Sequence, residues 1–293
     1  MKKKQISKFR KSQLIVFIYR ILLFIATSIL FYLAIKGNQF AINQFKVLEG
    51  FNFFKSFSVF HILWVLWVFD MCIQLFPISE KFRNFIKLSK GAQKLHKNHY
   101  TPTKKEVNQD VLKEQIKKAN KKALLILFLW CGIAFLAATT VIILKLVTEY
   151  DFYINALMLL LTLGAGICDT ICTLFWCPFR FIQKNRCCLT CRIYNWDHMM
   201  MFTPVVTVPS FYTWSLLGLG IVTMIVWEIK YKLHPERFFE YTNESLRCKN
   251  CTDKRCKQFG IIIRNEKGEN YWKTNDHEQR CPNFVRDNYI FLF

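Results

Sequence analysis

Residues 177–191 read Cys177-Pro-Phe-Arg-Phe-Ile-Gln-Lys-Asn-Arg-Cys187-Cys188-Leu-Thr-Cys191 and follow directly on a long apolar segment. Four cysteines and three basic residues occupy these fifteen positions. Basic residues beside an apolar span are typical of the cytosolic face of a membrane. The stretch therefore predicts a cysteine-rich loop held at a membrane surface, in a chain built from apolar helices.

The composition agrees with a membrane protein. Of the 293 residues, 53% are hydrophobic and 16% aromatic, and they are concentrated in runs of about 20, the length of a helix that crosses a bilayer. We predict an all-α polytopic protein with four spans, a fifth broken or re-entrant apolar segment and a small cysteine-rich tail. The predicted segments are a basic N-terminus (1–11), the first two spans (12–78), a basic loop (79–122), the third and fourth spans (123–176), a cysteine-rich loop (177–197), the fifth apolar segment (198–230) and the tail (231–293).

The charge of the chain predicts its orientation. Altogether 41 Lys and Arg against 20 Asp and Glu give a net charge of +21, and the loop 79–122 alone holds 13 basic and 4 acidic residues. Because short cytosolic loops carry an excess of Lys and Arg, we expect this loop and the N-terminus in the cytosol, with the protein in the plasma membrane. The predicted partner is a bilayer with anionic headgroups, and not a nucleic acid, since no nucleic-acid-binding motif accompanies the basic residues.

The fifth apolar segment, 198–230, allows two topologies. Pro204, Pro209 and the pair Gly218 and Gly220 are expected to break it. As one tilted span it would put the tail on the outer side of the membrane. As a re-entrant hairpin bent near Pro209, or as two short spans, it would return the tail to the cytosol. Basic residues after the segment favour the cytosolic tail.

Two local structures are predicted outside the spans. Thr103 and Glu106 have the spacing of a capping box, and no strong helix breaker follows before Lys145, so one helix is expected to run from the basic loop through the third span. In the tail, residues 260–272 place two apolar stretches on either side of a polar turn, which predicts a β-hairpin.

The polar cysteines predict a metal site. Two Cys-x2-Cys pairs, 188 with 191 and 248 with 251, have the spacing at which one tight turn supplies two thiolates to a metal ion. The candidate ligands are Cys177, Cys187, Cys188, Cys191, Cys248, Cys251, Cys256 and Cys281. Structural zinc and an iron–sulfur cluster are both compatible with these ligands, and disulfides or free thiols are the alternative.

A second candidate site lies inside the predicted spans. Arg20, Asp70 and Asp169 fall at similar depth, and an unpaired charge there would be costly, so Arg20 is expected to pair with one of the two carboxylates. Three thiols lie beside the acidic residues: Cys72, Cys168 and Cys172. Carboxylates and thiols together could pass a proton or a soft cation through the membrane.

The remaining polar residues suggest no chemistry. Asp197 and His198 stand at one end of the fifth segment, where anchoring at the headgroups explains them, and no catalytic motif is present, so no enzymatic activity is predicted. Two functions stay open. One is a membrane-anchored metal or redox module with a cytosolic cysteine-rich surface. The other is a small transporter or channel-like protein stabilised by structural zinc.

Overall fold

A computed structural model describes residues 8–51, 58–85, 90–104, 106–175, 177–179 and 188–247, which are mostly helical. The α-helices are α1 (Lys8–Ile35), α2 (Gln39–Phe45), α3 (Val59–Leu75), α4 (Glu80–Phe85), α5 (Gln109–Val147), α6 (Asp151–Leu174), α7 (Asp197–Phe202) and α8 (Phe211–Leu233). Short 3₁₀ turns connect several of them, the longest being Thr203–Thr207 between α7 and α8. These ranges contain no β-strand, and the predicted hairpin at 260–272 lies outside the described residues.

Four helices are long and apolar enough to cross a membrane, which indicates a membrane protein. They are α1 from Leu14, α5, α6 and α8. Their outward faces carry exposed aliphatic and aromatic side chains, such as Phe128, Phe135 and Leu146 of α5, and contiguous apolar surface of this kind suits contact with lipid. The predicted second span is shorter than expected, because α3 is an apolar helix of only 17 residues.

The two ends of the bundle are distinguished by the loops that meet there. At one end, which we call the cap end, Thr103 N donates to Thr242 O at 3.1 Å and Arg237 Nη1 donates to Leu95 O at 3.0 Å. At the other, the turn end, Lys145 Nζ donates to the carbonyl oxygen of Thr207 at 2.7 Å. The start of α8 and the end of α5 therefore lie at one end, and the segments that follow α4 and α8 meet at the opposite end.

The fifth apolar segment is a hairpin with unequal legs. The first leg is α7 followed by the 3₁₀ turn Thr203–Thr207, and it runs towards the turn end. Ser210 caps α8, which returns to the cap end as one uninterrupted helix of 23 residues. The bend near Pro209 was expected, but the break at Gly218 and Gly220 was wrong, since both lie inside α8.

The long helix α5 begins later than its sequence suggested. It does form one rod of 39 residues, but its N-cap is Asn108, whose side chain accepts from the backbone N–H of Asp110. The capping box expected at Thr103 does not form, because the Thr103 hydroxyl donates to Glu244 Oε1 at 3.3 Å instead. Docking of the segment 234–247 thus overrides a local helix-start signal.

An apolar core joins α1, α3, α6 and α8. Helix α6 packs along α1, α8 packs along α3, and the first leg of the hairpin lies between α6 and α8. The core includes Phe45, Phe60, Trp67, Leu159, Leu163, Phe202, Val208 and Leu216. Because lipid is as apolar as these side chains, the helices are held by close packing more than by exclusion of water.

Candidate functional site

The first polar contact within the bundle joins α1 to α6. Arg20 Nη1 lies 2.9 Å from Asp169 Oδ2 and also donates to the backbone carbonyl of Gly166. Asp169 is five residues before the end of α6, about 7.5 Å along the helix axis. The ion pair is one of the two that the depth of these residues predicted, and it leaves Asp70 to another partner.

That partner is His198, which the sequence analysis had placed at the headgroups. Its Nε2 lies 3.2 Å from Asp70 Oδ2 on α3, and its Nδ1 lies 2.8 Å from Asp197 Oδ1. The residue is 4% exposed and therefore lies inside the bundle. An imidazole placed between two carboxylates can donate from both ring nitrogens only when it is protonated.

Together Arg20, Asp70, Asp169, Asp197 and His198 form what we call the polar network. Asp197 also interacts electrostatically with Arg20 and with Asp169, so the two sets of contacts share one electrostatic environment. Each member comes from a different helix except the adjacent pair on α7. The network thus connects α1, α3, α6 and α7 near the cap end of the bundle.

Two glycines let α7 enter this position. A Cβ at Gly220 of α8 would lie 3.4 Å from the backbone of His198 and Met199, and one at Gly166 of α6 would lie 3.3 Å from the sulfur of Met201. Small residues allow helices to approach closely inside a membrane. Because α7 is held between α6 and α8 in this way, His198 is directed at Asp70.

The charges of the network do not balance. With His198 protonated, two positive groups face three carboxylates, so one negative charge remains. The Asp70 side chain is also the most accessible of the five, at 47% exposure, whereas that of His198 is at 5%. Asp70 is therefore the member of the network whose side chain the rest of the protein covers least.

Two of the three thiols predicted beside the carboxylates, Cys72 and Cys168, form no side-chain hydrogen bond to the polar network among the described residues. Cys168 is exposed on α6, Cys72 is half-buried on α3, and within the described residues neither thiol hydrogen-bonds to the network. Cys172 lies one helical turn beyond Cys168 and is half-buried. The groups that the polar network brings together are carboxylates, an imidazole and a guanidinium.

The predicted metal ligands are described only in part. Cys177 and Cys191 are buried, and Cys191 belongs to an apolar cluster that includes Ala123 and Ile126 of α5. Cys188 opens a 3₁₀ turn, while Cys187, Cys248, Cys251, Cys256 and Cys281 lie outside the described residues. Within the ranges that the structure covers, no group of three or more His, Cys, Asp and Glu side chains is arranged to hold a metal ion. The metal site stays a prediction.

Comparison with other proteins supplies no further guide. A search against protein-family models, characterised proteins and solved structures found no match to this chain.

Proposed function

We propose that the protein is a small membrane transporter in which the polar network binds protons and passes them on during transport. The observation that supports this most directly is His198, a buried imidazole held between the carboxylates of Asp70 and Asp197. Ionisable residues within membrane bundles are costly and are commonly found on ion and proton pathways.

The form of the hairpin supports the same proposal. His198 lies on a short helix that ends at Phe202 and continues as a 3₁₀ turn, so its leg of the hairpin is discontinuous. Transporters often place their binding sites on discontinuous helices, because a broken helix can shift without dismantling the rest of the bundle. The continuous helix α8 beside it supplies a fixed surface.

The orientation completes the proposal. We assign the cap end to the cytosol of a cell whose plasma membrane holds the protein, because the loop 79–122 carries a net charge of +9 from 13 basic and 4 acidic residues. The basic side chains of this loop then contact anionic headgroups. In this orientation the polar network is close to the cytosolic side, and the apolar core separates it from the outer side.

Proton flux through reconstituted protein tests the proposal. Liposomes that enclose a pH-sensitive dye and carry an imposed membrane potential should acidify when they contain the wild-type chain. Asp70→Asn keeps the shape of the side chain and removes its charge, so the flux should fall to that of protein-free liposomes. Glu114→Gln is the matched control, because Glu114 is an exposed carboxylate that pairs with Lys118 on the surface of α5.

The proton flux of a variant is compared with that of the wild type only if the variant folds. The melting temperature of each variant is therefore measured in the same detergent, and His198→Gln serves as a second variant if Asp70→Asn is unstable. An Asp70→Asn or His198→Gln protein that is folded and conducts protons like the wild type would exclude the polar network as the proton-binding site.

A metal or redox module at the cysteine-rich surface is the second candidate function. The observation in its favour is the tight 3₁₀ turn Cys188–Thr190 followed by the buried Cys191, which suits a Cys-x2-Cys pair. Zinc or an iron–sulfur cluster would then be the cofactor. Metal analysis of the purified full-length chain distinguishes zinc, iron and neither, independently of the flux measurement.

A further inference from the structure

The long helix α5 contacts the rest of the bundle along one narrow stripe. Along α5 the buried or half-buried positions recur every three or four residues, and most side chains between them are exposed. A helix that covers only one face in this way lies at the edge of a bundle. The stripe includes Asn120, Ala123, Ile126, Trp130, Ala134, Ala138, Val141 and Lys145. Three of these residues, Asn120, Trp130 and Lys145, form hydrogen bonds through their side chains.

Trp130 binds the first leg of the hairpin close to His198. Its Nε1 donates to the hydroxyl of Thr203 at 3.2 Å, and this hydroxyl donates to the carbonyl oxygen of Met199 at 3.0 Å. The backbone N–H of Thr203, which would donate to Met199 in a regular α-helix, donates to Met200 instead. The carbonyl of Met199 is therefore available to the hydroxyl. One threonine side chain thus connects the indole of α5 to the residue that follows His198.

Lys145 holds the other end of the leg. Its ammonium donates to the carbonyl oxygen of Thr207, the last residue of the 3₁₀ turn, at 2.7 Å. A carbonyl at the end of a helical turn lacks a partner further along the helix, so a cation from a neighbouring helix stabilises it. The same ammonium donates to Asn155 Oδ1 at 2.5 Å, which also links Lys145 to α6. The end of the leg is therefore attached to both α5 and α6.

The chain just before the leg is held from α5 as well. Arg192, which precedes the last 3₁₀ turn before α7, donates to Asn120 Oδ1 and also pairs with Glu228 of α8. Asn120 is about 15 Å from Trp130 along the axis of α5, and Lys145 is about 22 Å beyond Trp130. The three contacts are therefore spread along the leg, and the continuous helix α5 supports it over its whole length.

We propose that Trp130 and Lys145 are positioning residues, which tie the first leg to α5 and thereby keep His198 in contact with Asp70. The leg needs such ties, because it consists of a six-residue helix and a 3₁₀ turn of five residues, neither of which is stable alone. Without them the leg shifts, and the 3.2 Å contact between His198 Nε2 and Asp70 is lost. Their effect on proton flux rests on the proposed function of the polar network, whereas the position of His198 can be measured by itself.

Proton flux into liposomes gives the first test. Trp130→Phe keeps an aromatic ring and removes the N–H donor, and Lys145→Met keeps the length of the side chain and removes the ammonium. Because hydrogen bonds between helices in a membrane are individually modest, the double variant is used, and its flux should be about fivefold lower than that of the wild type. Lys145→Arg keeps a cationic donor and should retain most of the flux.

Trp64→Phe is the matched control. The Nε1 of Trp64 donates to Ser215 Oγ at 2.8 Å, so this substitution removes a hydrogen bond of the same kind between the continuous helices α3 and α8. The melting temperature of Trp64→Phe should fall about as much as that of Trp130→Phe, while its flux stays at the wild-type level. If the two variants lose flux equally, general destabilisation explains both losses and the positioning role is wrong.

Nitrogen-15 NMR of the histidine rings supplies a measurement that does not depend on flux. The chain has six histidines, and the signals of His198 are identified by their absence from His198→Gln. The Nε2 signal reports the contact with Asp70, because this nitrogen faces the carboxylate. In the double variant of Trp130 and Lys145 the signal should shift towards that of an imidazole in water. In Trp64→Phe it should stay at its wild-type position.

The two measurements separate this proposal from the proposed function. An unchanged Nε2 signal of His198 in a folded double variant would overturn the positioning role, even if the flux were reduced. A wild-type protein without proton flux would contradict the proposed function. A shift of the Nε2 signal in the double variant would still support the tie between α5 and the leg in that case.

Discussion

A charged side chain inside a bundle of apolar helices is stable only where fixed partners replace the water that it has lost. Arg20 meets this requirement through Asp169 and the carbonyl of Gly166. The carbonyl is available because a hydrogen-bonded helix still leaves one lone pair on each backbone oxygen. Arg20 is thus held by two partners, and removal of either charged residue leaves the other without an opposite charge in direct contact.

A double-mutant cycle on Arg20 and Asp169 tests this account. Arg20→Leu or Asp169→Leu alone should destabilise the protein by about 3 to 5 kcal/mol, because each leaves an unpaired buried charge. The double variant should lose clearly less than the sum of the two single losses. Unfolding of the purified protein in mixed micelles measures all four species. The same cycle on the exposed pair Glu114 and Lys118 is the control and should show no measurable coupling. Additive losses at Arg20 and Asp169 would contradict the ion pair.

Depth along the predicted spans was sufficient to anticipate this pair but not the whole polar network. Arg20 and Asp169 interrupt long apolar runs, and a charge in such a run stands out. Asp197 and His198 sit where an apolar segment begins, and the same residues would be unremarkable at a membrane surface. Their burial depends on α7 being inserted between α6 and α8, a tertiary contact that no spacing in the sequence expresses. The one available signal was an Asp-His pair directly before an apolar segment broken by prolines.

Among the secondary-structure elements, α7 is the one whose position depends most on its neighbours. A helix of six residues is too short to be stable alone, so packing must hold it in place. Gly220 permits its backbone to contact α8 closely. The sequence suggested that Gly218 and Gly220 interrupt a helix, and the structure shows instead that glycine here serves close packing. Local preference and tertiary packing gave opposite indications, as they also did at Thr103.

Gly218 and Gly220 provide a matched pair of substitutions on α8. Gly220→Val should destabilise the protein by about 1 to 3 kcal/mol and reduce proton flux, because the added methyl groups push α7 and His198 away from Asp70. Gly218→Val should have little effect, since no atom lies within 4 Å of a Cβ at that position. Melting temperature and flux are measured for both variants. Equal effects at the two positions would show that helix propensity, and not contact with α7, explains the loss.

At the level of the whole molecule, contacts between loops determine which helix ends lie at the same end of the bundle. The turn end joins Gly50 to Phe211 through a hydrogen bond of 3.2 Å, and the cap end joins Pro102 to Asn243 through an isolated β-bridge. Because α8 begins at the first end and finishes at the second, the segment that follows Leu233 lies on the same side as the loop 79–122. Hydropathy alone left this open, since one tilted span and a hairpin fit the same apolar segment. The contacts between residues 101–103 and 242–244 favour the hairpin.

Epitope accessibility in cells tests the resulting topology. An epitope inserted after Tyr150, in the turn between α5 and α6, should be reached by antibody in intact cells, because this turn lies at the end opposite the basic loop. Epitopes after Lys104 and after Phe293 should be reached only once the membrane is permeabilised. Retained proton flux shows that each insertion leaves the fold intact. Staining of the Phe293 epitope in intact cells, with the Lys104 epitope still protected, would place the tail outside. The chain after α8 would then have to give up the contacts that hold residues 234–247 at the cap end.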